Sequence, residues 1–242
     1  MTDKRARLPQ RPLGSTGLSV SPLGLAGSYG IDADAVERAF HELGVNYFFV
    51  TPRMPGLCEG VRRLVRAGHR DEIVLASGAH VPLGFTVPRE WARSARALGV
   101  EHIDVFHLFW VHARFYVTGR TWPAMARLRD EGKVRALAIS CHHGPLARSL
   151  VDELRLDALM IPYNAADRGA EAEIFATLGG KRPGIVTYTS TRWTSRISPA
   201  SVEFALSHPV VDVALCAART YEELRDNLEV TATSKDSGQE LG

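Results

Sequence analysis

Short apolar runs rich in Val, Ile, Leu and Phe recur along this chain. Each is followed by a stretch whose apolar residues fall three and four positions apart. The runs predict eight strands, near 22–28, 46–50, 73–79, 104–111, 134–140, 158–163, 184–190 and 212–217. Runs without polar alternation are what strands buried on both faces require. In Asp34 to Leu43, the residues Val36, Ala39, Phe40 and Leu43 share one helical face, with Asp32 placed to cap the start and Gly44 to stop the end. Arg89 to Gly99, Ala124 to Gly132, Glu171 to Leu178 and Val202 to Leu206 carry the same helical pattern. Ahead of them, Arg11 to Val20, with Gly14 and Gly17 as turn residues, predicts a short hairpin. Strand followed by helix, eight times over, predicts an α/β chain closed into a (β/α)8 barrel with the hairpin at its bottom.

Composition narrows the picture. The chain has 242 residues, 45% of them apolar, which suffices for one sizeable core. We expect a single barrel domain over 11–230, preceded by a flexible stretch at 1–10 and followed by a disordered polar tail at 231–242. A net charge of +2, with arginines spread through the helices, gives no basic stripe for nucleic acid. No apolar run approaches the roughly 20 residues of a membrane span, and the charged N-terminus holds no signal segment. Cys58, Cys141 and Cys216 are odd in number and lack C-x-x-C spacing, so they read as reduced thiols of a cytoplasmic protein.

Particular segments resemble a known family. Gly44-Val45-Asn46-Tyr47-Phe48-Phe49-Val50-Thr51 is similar to the G-V-N-Y-F-D-T-A signature of the aldo-keto reductases, with Phe49 in place of the aspartate. Met54 stands where that family has its catalytic tyrosine. Gly78, ending Ile73-Val74-Leu75-Ala76-Ser77-Gly78, stands in place of its lysine, and Phe109, in Asp104-Val105-Phe106-His107-Leu108-Phe109-Trp110, in place of its histidine. Leu13-Gly14-x-Thr16-Gly17-Leu18, Glu131-Gly132-Lys133-Val134-Arg135, Tyr163-Asn164 and Ala218-Arg219-Thr220-x-Glu222-x-Leu224-x-x-Asn227 resemble further family segments in the same order. The resemblance implies an aldo-keto reductase-like (β/α)8 barrel with its four catalytic positions replaced, and a shortened loop, Arg192 to Pro199, where the family folds over the cofactor's pyrophosphate. It also implies that Ser140, Tyr188, Arg219 and Asn227 are what remains of an NADP(H) site. Cys141 and Met160 replace two contacts to the nicotinamide carboxamide. The cofactor reading is therefore either none or NADP(H).

In such a barrel, chemistry sits where strands end and helices begin. The lysines Lys4, Lys133, Lys181 and Lys235 lie in tails or ahead of strands, away from that face. His80, His112, His142 and His143 follow strand ends without a recognised metal-ligand spacing, so no metal is assigned. The candidate catalytic set is Tyr188, His107, Asp167, Arg192 and His142. His107, on the same strand face as Phe109 and one layer deeper, is either a satisfied core residue or a displaced general acid. Cys141 beside histidines also allows a nucleophile reading, although neighbouring residues usually point apart. The candidate pocket wall is Phe49, Met54, Phe109, Trp110, Met160, Asn164 and Trp193, read either as a hydrophobic cavity or as a plug.

Three functions stay open. The leading one is a small-molecule enzyme performing acid–base dehydration, cyclisation or isomerisation on an apolar or aromatic metabolite. The second is an NADP(H)-dependent oxidoreductase of aldo-keto reductase type with a relocated proton donor. The third is a ligand-binding protein without catalysis. All three take a small molecule as partner and none takes nucleic acid or a membrane.

Overall fold

The computed structural model describes residues 7–27, 30–188 and 199–236. Eight parallel strands form a closed barrel: β3 (Leu23–Ala26), β4 (Tyr47–Phe49), β5 (Val74–Ala79), β6 (Ile103–Leu108), β7 (Val134–Ser140), β8 (Ala158–Pro162), β9 (Gly184–Tyr188) and β10 (Val213–Ala217), with β10 pairing back onto β3. The two-residue strands β1 (Arg11–Pro12) and β2 (Ser19–Val20) make the hairpin beneath it. Among the described residues, eight α-helices surround the barrel: α1 (Ala33–Arg38), α2 (Pro55–Arg66), α3 (Val87–Leu98), α4 (Thr121–Asp130), α5 (Gly144–Leu154), α6 (Gly169–Glu173), α7 (Pro199–Ser207) and α8 (Tyr221–Asp236). No helix among the described residues is long and apolar enough to cross a membrane.

Strand alternation divides the core in two. Tyr47, Val74, Ala76, Val105, Ala138 and Met160 belong to one buried cluster that fills the barrel interior. Phe48, Leu75, Phe106, Leu137, Ile139 and Leu159 belong to the other, which packs against the helices. The hairpin closes the lower end: Leu13 abuts Gly184, where a Cβ would come within 2.5 Å of its side chain. Gly14 adopts φ +49, and a Cβ there would lie 2.3 Å from the Gly184 nitrogen, so no larger residue fits.

Four polar side chains pin the register at this lower face. Asn46 Oδ1 accepts from the Ser21 N–H (2.6 Å), and Asp104, Asp157 and Asp212 accept from the N–H groups of Leu75, Leu137 and Ile185, each at 2.8 Å. Each therefore reaches from the start of one strand to the strand before it, on β4, β6, β8 and β10 in turn. Arginines neutralise the carboxylates: Arg70 lies 2.9 Å from Asp104, and Arg182 grips Asp212 through two contacts of 2.7 Å.

The helices follow the sequence with local departures. Asp32 caps α1 through the Ala35 N–H at 2.7 Å, and Gly44 ends the following π-helical turn (Ala39–Leu43) at φ 76. The Glu171 to Leu178 helix is instead α6 plus a single 3-10 turn, Phe175–Thr177, because Ile174 leaves the helical region at φ −127. Near the N-terminus, the first described residues pair with the π-helical turn. The Leu8 N–H donates to the Leu43 carbonyl and the Arg7 guanidinium to that of Phe40. Helix α8 runs to Asp236, well into the stretch read as a disordered tail.

Candidate functional site

The strand ends place Phe49, Gly78, His107, Ser140, Met160 and Tyr188 around the barrel mouth, with Phe109 and Trp110 just beyond β6. The floor is aromatic. Phe49 and Phe109 meet edge to face with ring centroids 5.5 Å apart, and each ring lies 5.9 Å from the His107 ring. This is direct aromatic contact, so no third ring fits between the two phenylalanines.

His107 is fully buried under this pair. Its Nδ1 lies 3.1 Å from the Ser77 carbonyl, which assigns the ring proton to Nδ1 and leaves Nε2 as a bare acceptor, without a partner among the described residues. Burial lowers its pKa to about 4, so the ring is neutral near pH 7. A neutral imidazole whose only proton is committed to a carbonyl has none to give to a substrate in the mouth. The displaced-acid reading of His107 thus finds no support in the geometry.

Gly78 is closed off as well. A Cβ there would lie 2.3 Å from the His107 carbonyl oxygen and 2.7 Å from Cζ of Phe109. The Phe109 ring occupies the volume a longer side chain would use, and the β6 backbone itself blocks the first carbon.

The polar groups gather on the other side of the mouth. Tyr188 ends β9 half-buried, and its hydroxyl is buried with no hydrogen-bond partner among the described residues. Burial raises its pKa above the ordinary phenol value, with Cys141 and Asp167 adding in the same direction. The His142 ring lies 5.2 Å from the Tyr188 ring. Burial lowers the His142 pKa, and the nearby Asp167 charge opposes that shift. Asp167 itself is exposed on the turn after β8, which Asn164 ties by accepting from the Ala166 and Asp167 N–H groups at 2.9 and 3.0 Å. Tyr188, His142 and Asp167 are thus brought together. Asn164 is buried, and its carboxamide oxygen is committed to its own turn.

Beside them, Trp110, Val111, His112 and His142 line a recess of about 260 Å³. Trp110 is exposed and holds φ 55, unusual for a residue other than glycine. Its N–H donates to Ser140 Oγ at 2.8 Å, and its carbonyl accepts from His112 Nδ1 at 3.0 Å. His112 Nε2 in turn accepts from the Tyr116 hydroxyl at 3.1 Å. The sequence marks His112 only as one of four histidines after strand ends and does not single out Val111; the left-handed turn at Trp110 brings both to the mouth.

The remaining candidates fall in different places. Met160 lies inside the barrel, whereas Met54 packs into the layer between barrel and helices, where its Cβ would sit 3.2 Å from one built on Gly27. Met54 is therefore not part of the inner wall. Cys141 is buried and its thiol donates to the His143 carbonyl; burial raises its pKa, which leaves no thiolate for a nucleophile. Asn227 is buried and donates to Cys216 Sγ at 3.2 Å, joining α8 to β10. Arg219 is exposed, with its N–H bonded to the Glu223 carboxylate at 2.9 Å. Arg192 and Trp193, and most of the short connection to Pro199, lie outside the described residues.

The Aldo/keto reductase family model matches residues 86–195, from the loop ahead of α3 to beyond β9. The match spans less than half of the chain, which over those residues is similar to this family. L-galactose dehydrogenase of Arabidopsis thaliana is 28% identical over 156 residues, which is 55% of this chain and 49% of that protein. The matched stretch is thus about half of the curated relative's length. Among solved structures, two of a protein assigned as an aldo-keto reductase from Pseudomonas aeruginosa superpose with TM-scores of 0.82, at 23% and 22% identity. They cover 97% of this chain and 99% and 100% of their own. A holo-form aldo-keto reductase from Bacillus halodurans gives 0.77 at 19% identity, over 93% of this chain and 91% of its own. At these identities the structures establish the shared barrel. The sequence match over 86–195 is what the chain shares with the family itself.

Proposed function

We propose that this chain is an NADP(H)-dependent oxidoreductase of the aldo-keto reductase type whose proton donor is Tyr188. The match of residues 86–195 to a reductase family model, and similarity to a relative named as a dehydrogenase, favour hydride transfer over the dehydration, cyclisation or isomerisation suggested by residue chemistry alone. The single observation that carries the choice of donor is the Tyr188 hydroxyl, buried at the mouth with no hydrogen-bond partner among the described residues. A buried polar group without a partner is costly, and a bound ligand oxygen would complete it.

The residues fit such a cofactor in part. Ser140 accepts from Trp110 yet keeps its own hydroxyl proton to donate, and Arg219 presents an exposed cation on the same rim. Asn227 is occupied by Cys216 and is left out of the set. When bound, a nicotinamide supplies the hydride to a carbonyl carbon. The Tyr188 O–H passes its proton to the carbonyl oxygen, giving an alcohol and a tyrosinate that solvent reprotonates. The raised pKa keeps Tyr188 protonated throughout the neutral range but makes it a reluctant acid. Turnover is accordingly slow. The recess beside Trp110 takes a small, apolar or aromatic carbonyl compound, since no charged side chain lines it among the described residues. In this proposal Phe49, Met54, Gly78 and Phe109 occupy the family's four catalytic positions, and none of them moves a proton.

The packed floor of Phe49, Phe109 and His107 favours one second reading, a protein that binds ligand without turning it over. Titration with NADPH, followed by nicotinamide fluorescence, and turnover of aromatic aldehydes by wild type and Tyr188→Phe separate the two. Saturable binding with turnover lost in Tyr188→Phe supports the oxidoreductase. Binding with no turnover supports the second reading, and absence of NADPH binding refutes the first.

A further inference from the structure

Among the described residues, every exposed large apolar side chain lies on two neighbouring loops: Val81, Leu83 and Phe85 after β5, and Trp110 and Phe115 after β6. Phe85 and Phe115 are 65% and 63% exposed. Such a concentration marks a contact surface, since single exposed apolar residues are ordinarily scattered. Next to Phe85, between α3 and α4, lies a groove of about 650 Å³. Phe85, Pro88, Pro123 and Leu128 give it apolar walls, and Arg120 and Arg127 line it too.

The charge of this face is one-sided. No acidic residue occurs between Asp104 and Asp130, while Arg114, Arg120, Arg127 and Arg129 do. Arg114 pairs with Glu153 and Arg129 with Asp157. Arg120 and Arg127 form no ion pair among the described residues. The groove's own carboxylate, Glu131, is held by Lys133 at 2.7 Å. Arg89 stands over the Phe85 ring at 5.7 Å, adding a further cation.

The groove is built in advance. Thr121 Oγ1 donates to the Pro82 carbonyl at 2.8 Å, and a Cβ on Gly84 would lie 2.5 Å from the Arg120 carbonyl oxygen. The two loops are therefore in backbone contact, and Gly84 permits it. Arg120 caps the start of α4 and Arg127 follows seven residues on, roughly 10 Å along the helix axis. An extended polyproline-II chain returns to the same face every three residues, at about 9 Å.

We propose that this groove docks an acidic, extended polypeptide segment whose carboxylates lie three residues apart, one facing Arg120 and the next Arg127, with an apolar residue against Phe85. A concave groove between two helices suits a single chain better than the flat surface of a bilayer. The proposal is independent of catalysis at the mouth.

The probe is a fluorescein-labelled synthetic hexapeptide with two aspartates three residues apart, prolines between them and a terminal leucine. Its control is the same peptide with lysines for aspartates. Anisotropy should show saturable binding of the acidic peptide, weakening as salt rises. Arg120→Gln with Arg127→Gln should weaken it at least tenfold, and Phe85→Ser should weaken it independently. All three positions are exposed or lie at the groove, and circular dichroism checks that the variants fold. If the double variant does not fold, Phe85→Ser alone decides. The proposal is overturned by no saturable binding, by equal binding of the lysine peptide, or by binding that neither variant changes. It is equally overturned if the protein ignores the peptide and sediments with phosphatidylserine vesicles.

Discussion

His107 and Tyr188 are both polar, both at the barrel mouth end and both without a full set of partners among the described residues, yet their physical situations are opposite. His107 is sealed beneath Phe49 and Phe109, so its unpaired Nε2 costs stability and meets no solvent. Its folded pKa of about 4 lies below the unfolded value near 6.5, so the folded state binds fewer protons between those values. The associated stability is complete above about pH 6.5 and is lost as pH falls toward 4. We expect wild type to lose about 2 kcal/mol more than His107→Gln between pH 6.5 and 5, measured by urea unfolding at each pH. An equal loss in both proteins would show that His107 is not the neutral, buried group described. Tyr188 faces the mouth, where its raised pKa keeps the phenol protonated. Tyr188→Phe should lower turnover by about 10²–10⁴-fold while leaving NADPH affinity within a fewfold. Between pH 7 and 9 the wild-type rate should show no alkaline limb from this group. Phe109→Asp, by contrast, would bury a carboxylate among Phe49, His80 and His107, and should unfold the mouth instead of opening it.

Between elements, β5 and β6 approach so closely that position 78 admits glycine alone. Gly78→Ala should destabilise by about 1–3 kcal/mol, toward the upper end, because the opposing atom is a backbone carbonyl that cannot rotate away. A melting temperature unchanged from wild type would contradict this. The lower face offers a second test. Asp212→Ala leaves the Ile185 N–H unsatisfied and strands Arg182, and it also frees the Gly14 N–H of the hairpin. A loss of about 3–5 kcal/mol is expected, with Asp212→Asn intermediate because one acceptor survives. The same substitution at an exposed carboxylate such as Asp152 should change little.

Across the whole molecule, the barrel is closed, whereas the floor of its mouth is filled by packed aromatic rings. Writing Asp at Phe49, Tyr at Met54, Lys at Gly78 and His at Phe109 together should not produce a rapid reductase, because the β6 backbone leaves no room for a side chain at 78. Turnover of simple aldehydes rising to about 1–10³ per second in that variant would show that the strands readjust.

The sequence by itself determined the eight strand and helix units and the hairpin, because the periods of buried strands and amphipathic helices are local properties of the chain. The resemblance of its segments to the aldo-keto reductases nominated Phe49, Phe109 and Tyr188, and the strand end nominated His142. It did not reveal the four pins at Asn46, Asp104, Asp157 and Asp212, which act only across neighbouring strands. Nor did it reveal that Asn164, Asn227 and Ser140 already bond within the chain, that Met54 faces the helices, or that a turn at Trp110 carries Val111 and His112 into the mouth. Those depend on barrel closure and strand register, which bring together groups tens of residues apart. Whether a polar side chain is available to a ligand was decided there, by which partners the tertiary structure had already given it.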